Sequence, residues 1–245
     1  MQTKVEVSNI KKRFGDLETL EDVSICLEQN QFVSILGPSG SGKSTLFNII
    51  AGLIKPDEGM VLIEGEDSAG KTGRVSYMHQ KDLLLPWKNI LDNVSIPLIL
   101  KGKAKKEARD EAEKYLDLFG LKGFGLHYPS QLSGGMRQRA ALLRTYLFAN
   151  DIMLLDEPFG GLDAITKRKM QHWLLSVLEN LQASILFITH DIDEAIFLSD
   201  KIYILSERPA TIKTVIDVDI RRPRDNKTFT SQKFNEQKEK ILSIL

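Results

Sequence analysis

The chain has 245 residues, 42% hydrophobic and 27% charged, and its 33 Lys+Arg balance 33 Asp+Glu to a formal net charge of +0. Such a composition can bury a core, and it excludes the strong basic excess of an electrostatic nucleic-acid binder. No apolar run approaches the ~18 residues of a membrane span. The N-terminus lacks the apolar core of a secretory signal, and the single Cys26 excludes an internal disulfide. A soluble chain in a reducing compartment is expected, reaching any membrane through a partner, with Cys26 as a small buried hydrophobe.

In chain order, "VEVSNI" (5–10) and "VSICLE" (23–28) alternate as strands, and "QFVSILG" (31–37) is a short apolar run that suits a buried strand. A helix is expected from Lys43 to Leu53, a turn at "PDEG" (56–59), and strands near 60–64 and 74–78. From about 83 to 149 helix formers dominate. The clearest helix is 103–120, stopped at Gly120, with its charged face solvated. The segment "LSGGMRQRAALLR" (132–144) is two glycines opening a helix, with Met136, Ala140, Leu143 and Leu147 at helical spacing. From 151 the α/β rhythm returns: strand 151–158, helix 164–181, strand 183–190, a short helix and strand 201–206. The tail from about 219 is polar, and "FNEQKEKILSIL" can form an amphipathic helix without evident chemistry. An α/β core interrupted by a helical insertion is expected.

Three motifs carry chemistry. "GPSGSGKST" (37–45) is a phosphate loop between a buried strand and a helix. It comprises Gly37, Pro38, Ser39, Gly40, Ser41, Gly42, Lys43, Ser44 and Thr45. N–H groups of Gly40 to Thr45 cradle phosphate oxygens, Lys43 reaches the β and γ phosphates, and the Ser44 hydroxyl binds Mg²⁺. In "IMLLDEP" (152–158), Asp156 ends an apolar strand where a carboxylate can hold Mg²⁺. Glu157 follows, placed either to orient or deprotonate an attacking water or to cap the next turn. His190 ends the strand "SILFITH", at the sheet edge where ligands bind in open α/β sheets, placed either for a structural role or for a γ-phosphate contact. The glycine pair of 134–135 is a second anion cradle with no ligand assigned by its own chain.

The set "GPSGSGKST", Gln80 in "YMHQKD", "LSGGMRQR", "LLDEP", "GGLD" and "ITHD", in that order, resembles the ATP-binding cassette (ABC) ATPases over residues 3–220. The resemblance implies one ABC ATPase domain over 1–245. Its fold would be a phosphate-loop NTPase core of class α/β with a mainly parallel sheet, an N-terminal antiparallel β subdomain and an inserted helical subdomain (83–149). Phe14 would then stack on adenine, the alternative being an ordinary core phenylalanine. Gln80 would contact Mg²⁺ or the attacking water, Glu157 would be the catalytic carboxylate, and His190 would contact the γ-phosphate. Asp163 would lie between two cassettes, although Gly160–Gly161 stand where many members carry serine or alanine.

In that family the cassettes pair head to tail. Ser133 and Gly135 would therefore contact the γ-phosphate of an ATP held by the opposing chain, and hydrolysis would release the closed dimer. Arg137 and Arg144 are expected to face solvent or acidic neighbours. "LLLPW" (83–87) either forms part of a groove for a membrane subunit or packs inside the helical block. "LLPWKNILDNV", "PFGGLDAITK", "SERPATI" and "RRPR" look like the nitrate, sulfonate and taurine importer ATPases, whose relatives also take up thiamine precursors. The resemblance thus implies an ATP- and Mg²⁺-dependent ATPase with a second cassette (an identical one in a homodimer), an integral permease and, indirectly, a substrate-binding protein as partners, and no nucleic acid. It would be peripheral on the cytoplasmic side of the plasma (inner) membrane. A ribosome- or DNA-directed cassette protein and a small-molecule kinase compete with this reading. The first lacks a basic face, and the second leaves "LSGGMRQR" without a purpose.

Overall fold

The computed structural model describes residues 2–148, 151–181 and 183–245, with the side chains of 178–181 left aside. The end of the expected helical insertion, residue 149, lies outside the described residues. In chain order the elements are β1 (Thr3–Phe14), β2 (Leu17–Glu28), β3 (Phe32–Leu36), α1 (Lys43–Ile50), β4 (Glu58–Ile63), β5 (Glu66–Asp67), β6 (Ser76–Met78), α2 (Ile90–Val94), α3 (Ile96–Leu100), α4 (Lys105–Leu116), α5 (Gly134–Tyr146), β7 (Ile152–Asp156), α6 (Ala164–Leu181), β8 (Ser184–Thr189), α7 (Ile192–Leu198), β9 (Lys201–Leu205), β10 (Ala210–Asp217) and α8 (Gln232–Leu242). They fall into two compact units, residues 1–75 with 182–245, and residues 76–181.

In the first unit the strands run in the order β5-β4-β1-β2-β10-β9-β3-β8. β1 and β2 are antiparallel, in register from Val5↔Leu27 to Phe14↔Leu17, and β1 also pairs antiparallel with β4. The tight β1–β2 turn places Gly15 at φ 57, a region that costs glycine no Cβ clash. β3 is parallel to β8 on one side and to β9 on the other. All five β3 residues and all six β8 residues are buried. Strands covered on both faces read as continuous apolar runs, which is how both segments read in the sequence.

The core of this unit contains Ile35, Leu36, Leu46, Phe47, Phe187 and Phe197, all at most 1% exposed. Each such side chain contributes roughly 1.5–3 kcal/mol by leaving water. β10 was absent from the expected elements. The tail after 219 is no loose extension either. Phe197 stacks on Phe229 at 4.3 Å between centroids, and Phe229 packs on the buried Phe234 of α8 at 5.2 Å. Cys26 is half-buried, not fully buried, and its N–H donates to Tyr203 Oη at 3.1 Å.

The second unit pairs β6 parallel to β7, with Tyr77↔Leu154, and surrounds them with helices. Ile90, Val94, Ala108, Ala112, Phe119, Ala140 and Leu143 form its apolar centre, each fully buried. α4 is shorter than the expected 103–120, and its apolar face is confined to Ala108, Ala112 and Leu116. α5 starts at Ser133, whose side chain accepts from Met136 N at 3.3 Å, so the serine caps the helix it precedes.

Candidate active site

The phosphate loop leaves β3 and enters α1. Gly40 and Gly42 sit at φ 79 and 105, where a β-carbon is strained. A Cβ on Gly42 would lie 2.9 Å from Leu20 Cδ2 and 3.0 Å from Thr19 Cγ2. A Cβ on Gly37 would lie 3.1 Å from Leu205 Cβ. The loop is thus clamped between β2 and the end of β9 with no room for side chains at these positions. Lys43 is buried, and its Nζ donates to Gly37 O at 2.9 Å and Pro38 O at 2.7 Å. Ser41 lies beneath the loop, 2% exposed, whereas Ser44 on the first turn of α1 is exposed. An ammonium resting on the loop's own carbonyls, in a cradle that side chains would fill, fits a polyphosphate.

Two further expected residues fall beside this loop. His190 follows β8, and the register Leu36↔Thr189 sets it level with Gly37. His190, Gly37 and Pro38 line a cavity of about 440 Å³ together with Lys213 and Leu245. Phe14 ends β1 opposite Leu17, two residues before Thr19, which touches the loop at Gly42. Phe14 is 45% exposed, with Lys12 Nζ over its ring 5.5 Å from the centroid, so it is not a core phenylalanine.

The other expected residues belong to the second unit. Asp156 ends β7 and is buried, and Tyr77 Oη donates to its Oδ2 at 3.4 Å. Burial, reinforced by the Asp156 charge, pushes the Tyr77 hydroxyl far above its ordinary pKa, which keeps it a donor. Glu157 adopts φ 44, a strained conformation for a residue with a β-carbon. Its Oε2 accepts from Gln80 Nε2 at 3.1 Å, and its carbonyl accepts from Gly160 N at 2.9 Å. The amide nitrogen of Gln80 is committed to Glu157, so its oxygen is the end that can ligate a cation. The Ser44 hydroxyl of the first unit and the Gln80 amide and Asp156 carboxylate of the second are each hard oxygen donors, the type Mg²⁺ prefers.

Gly160 leaves Gln80 in ordinary contact, with a Cβ position 3.9 Å from its Nε2. Gly161 is at φ 78 with open space around it, so backbone conformation and not crowding favours glycine there. Asp163 is exposed and caps α6 by accepting from Ile165 N at 3.1 Å and Thr166 N at 3.0 Å. The Thr166 hydroxyl and backbone N–H hold its carboxyl below the usual range.

At the start of α5, Gly135 is buried, and a Cβ there would come 3.1 Å from Thr166 Cγ2. The arginines of this helix depart from expectation in part. Arg137 Nε donates to Asp82 Oδ2 at 3.2 Å, the acidic neighbour expected. Arg144 is partly buried and lies beside the same acid, but it is the carbonyls it donates to, Leu83 O at 2.7 Å and Asp82 O at 2.6 Å. Burial draws its pKa down. Arg139 lies over Trp173, 4.7 Å from the ring. Together Arg137 and Arg144 fasten the segment after Gln80 to α5.

In "LLLPW" the two alternatives divide residue by residue. Leu84 is buried, while Leu83 and Trp87 are 53% and 71% exposed. The loop is held by buried Asn93, which accepts from Leu85 N at 2.7 Å and donates to the carbonyls of Leu85, Lys88 and Asn89 at 3.0–3.1 Å. Sequence reasoning missed Asn93, Tyr77 and the Asp82 clasp. Only their distant partners distinguish them from ordinary polar residues.

A family model described as ABC transporter matches residues 20–160. An ABC transporter ATP-binding protein of Methanocaldococcus jannaschii is 41% identical over 100% of this chain and 92% of its own length. A formylaminopyrimidine import ATP-binding protein of Halalkalibacterium halodurans is 45% identical, covering 92% of this chain and 89% of the relative. An aliphatic sulfonates import ATP-binding protein of Bacillus anthracis is 39% identical, covering 97% and 94%. Among solved structures, the dimeric structure of a bacterial ABC transporter cassette superposes with a TM-score of 0.76 at 31% identity, over 89% of this chain and 100% of that one. The same cassette has been solved as a post-hydrolysis dimer bound to ADP and Pi. On the family match and these relatives, the chain belongs to the ABC transporter ATPases.

Proposed function

We propose that this chain is the ATP-hydrolysing subunit of a membrane importer for a small solute. In this reading residues 1–245 work as one ATPase domain, and two copies bind ATP head to tail. The observation that carries it is Glu157, a carboxylate at φ 44 whose Oε2 accepts from Gln80. Strain of this kind, on the order of 1–3 kcal/mol, persists where surrounding structure enforces it, and it gathers at catalytic positions.

Each residue has a task. Phe14 stacks on adenine; Gly37–Thr45 and Lys43 bind the phosphates; His190 holds the terminal one. Ser44, Gln80 and Asp156 hold Mg²⁺, which when bound offsets charge on the β and γ oxygens. Glu157 accepts a proton from the water whose oxygen attacks the γ-phosphorus. The bond to the β–γ bridging oxygen breaks, giving ADP and inorganic phosphate. Ser133 and Gly135 of the opposing copy meet the γ-phosphate, so each site needs two chains.

The import role follows the relatives, named for formylaminopyrimidine, aliphatic sulfonate and nitrate import. Among the described residues no helix is long and apolar enough to cross a membrane. An importer subunit of this kind sits against a permease on the cytoplasmic face of the inner membrane and works with a solute-binding protein. Leu83 and Trp87 are the exposed apolar residues we assign to the permease.

Mixing two inactive variants tests the composite site. Lys43→Ala and Ser133→Ala chains should each lose most ATPase activity. An equal mixture should recover about a quarter of wild-type turnover, because half of randomly paired dimers carry one intact site of two. Each variant failing alone with no recovery on mixing would show that the sites are not shared.

A further inference from the structure

Arg208 stands in the short connection between β9 and β10. One of its guanidinium nitrogens reaches the phosphate loop so closely that a Cβ on Gly40 would lie 2.9 Å from it. The connection is fixed by Ser206. Its N–H donates to Thr211 O at 3.0 Å, its hydroxyl donates to Glu207 O at 2.7 Å, and it accepts from Thr211 N at 2.9 Å. Arg208 itself is exposed.

The other arginines near structural joints in this protein have acceptors. Arg137 and Arg222 pair with Asp82 and Asp200, and Arg144 and Arg224 donate to backbone carbonyls. Among the described residues Arg208 has neither an ion pair nor a hydrogen bond. Its neighbour Glu207 lines the cavity with His190 and Lys213 and does not engage it. The loop that carries the Lys43 ammonium thus also has a guanidinium beside Gly40, and two cationic groups on one loop attract an anion.

We propose that Arg208 is a further phosphate ligand of the nucleotide site, gripping the terminal phosphate of the ATP bound by its own chain. The reading rests on the ATPase assignment above. The Lys43 ammonium rests on Gly37 and Pro38, at the front of the loop, and this lysine type reaches the β and γ phosphates. Arg208 overlies Gly40, in the same part of the loop. A guanidinium offers several donors in a planar fork that matches phosphate oxygens, and an arginine added to a phosphate loop favours the triphosphate over the diphosphate. The exposed, preset connection supplies this charge without consuming a residue of the loop itself.

The test is competition of ATP and of ADP against a fluorescent nucleotide, using the full chain with Mg²⁺ and dilute protein so that pairing does not add to the ATP signal. Arg208→Ala should weaken ATP about tenfold, the value of one charge-assisted pair, and ADP less than about twofold. Arg208→Lys should keep part of the ATP preference, and Arg208→Glu should lose more than alanine does. The wild-type ATP-to-ADP ratio should fall with added salt more steeply than that of Arg208→Ala. Equal weakening of both nucleotides, or no weakening, overturns the proposal. A wild-type chain that bound neither nucleotide would overturn the ATPase reading itself, so the two failures are separable.

Discussion

Gln80 Nε2 donates to Glu157 Oε2 at 3.1 Å, joining two side chains 77 positions apart in the sequence. Gln80 follows β6 and Glu157 follows β7, and these strands are parallel neighbours. The pairing holds the carboxylate in one place without neutralising it, as a base for water requires. Glu157→Gln should therefore lower kcat at least about a hundredfold while ATP still binds. Gln80→Ala, which removes a positioning amide but leaves the base, should cost less. Steady-state ATPase assays with nucleotide binding alongside check both, and near-normal turnover in Glu157→Gln would remove it as the base.

Gly42 tests the phosphate loop as a built cradle. At φ 105, with Leu20 Cδ2 2.9 Å from the Cβ position, Gly42→Ala carries both backbone strain and a clash. It should lower stability by about 1–3 kcal/mol and weaken nucleotide binding. Gly65, at φ 82 with nothing within 4 Å, is the control: Gly65→Ala should show the smaller loss of strain alone. Thermal melts of the two variants separate the contributions.

Trp87 is 71% exposed on a loop that Asn93 fixes from within. Trp87→Ala should leave the isolated chain's ATPase rate within about twofold, since surface changes away from structural features cost little. It should reduce retention of the subunit by its permease in detergent. Asn93→Leu should instead cost roughly 1–3 kcal/mol of stability, because buried backbone groups of the loop lose their partners. Equal permease retention by wild type and Trp87→Ala would remove the loop from the docking surface.

Arg224 is 6% exposed and donates to the carbonyls of Ile196, Phe197, Ser199 and Ile220 at 2.8–3.0 Å. Burial draws its pKa down to about 10. Arg224→Met should lower stability by about 3 kcal/mol, since several buried acceptors lose their donor at once. Arg224→Lys should rescue little, because one ammonium cannot reproduce a fork that reaches both the C-terminal end of α7 and Ile220. Denaturant titrations measure the difference. A stability within 0.5 kcal/mol of wild type, an ordinary surface value, would contradict this role.

The motifs were legible because they are local. A phosphate loop is a matter of spacing between a buried strand and a helix, and "GPSGSGKST" carries it within nine residues. β3, α6 and α5 were likewise readable from apolar runs and helical spacing. β10 was not, because "ATIKTVID" is half polar and becomes a strand through pairing with β9 and β2. In the tail the amphipathic helix was legible and became α8, but its anchoring was not, because Phe229 and Phe234 pack back toward Phe197, more than 30 residues earlier. "RRPR" served only as a resemblance, and folding makes Arg222 and Arg224 a clasp on Asp200 and on the carbonyls around α7.

By itself the sequence determined which residues could bind phosphate and carry out acid–base chemistry, since those properties belong to residue types at fixed short spacings. It also determined the short apolar strands β3 and β8, whose burial on both faces goes with near-continuous hydrophobic runs. The tertiary structure decided what each polar residue is used for. It exposed Phe14, turned Arg144 to backbone carbonyls, joined Gln80 to Glu157 and set Arg208 over Gly40. A charged or amide side chain has many possible partners at similar free energy in a chain of 245 residues. Only the packing of distant segments selects one of them.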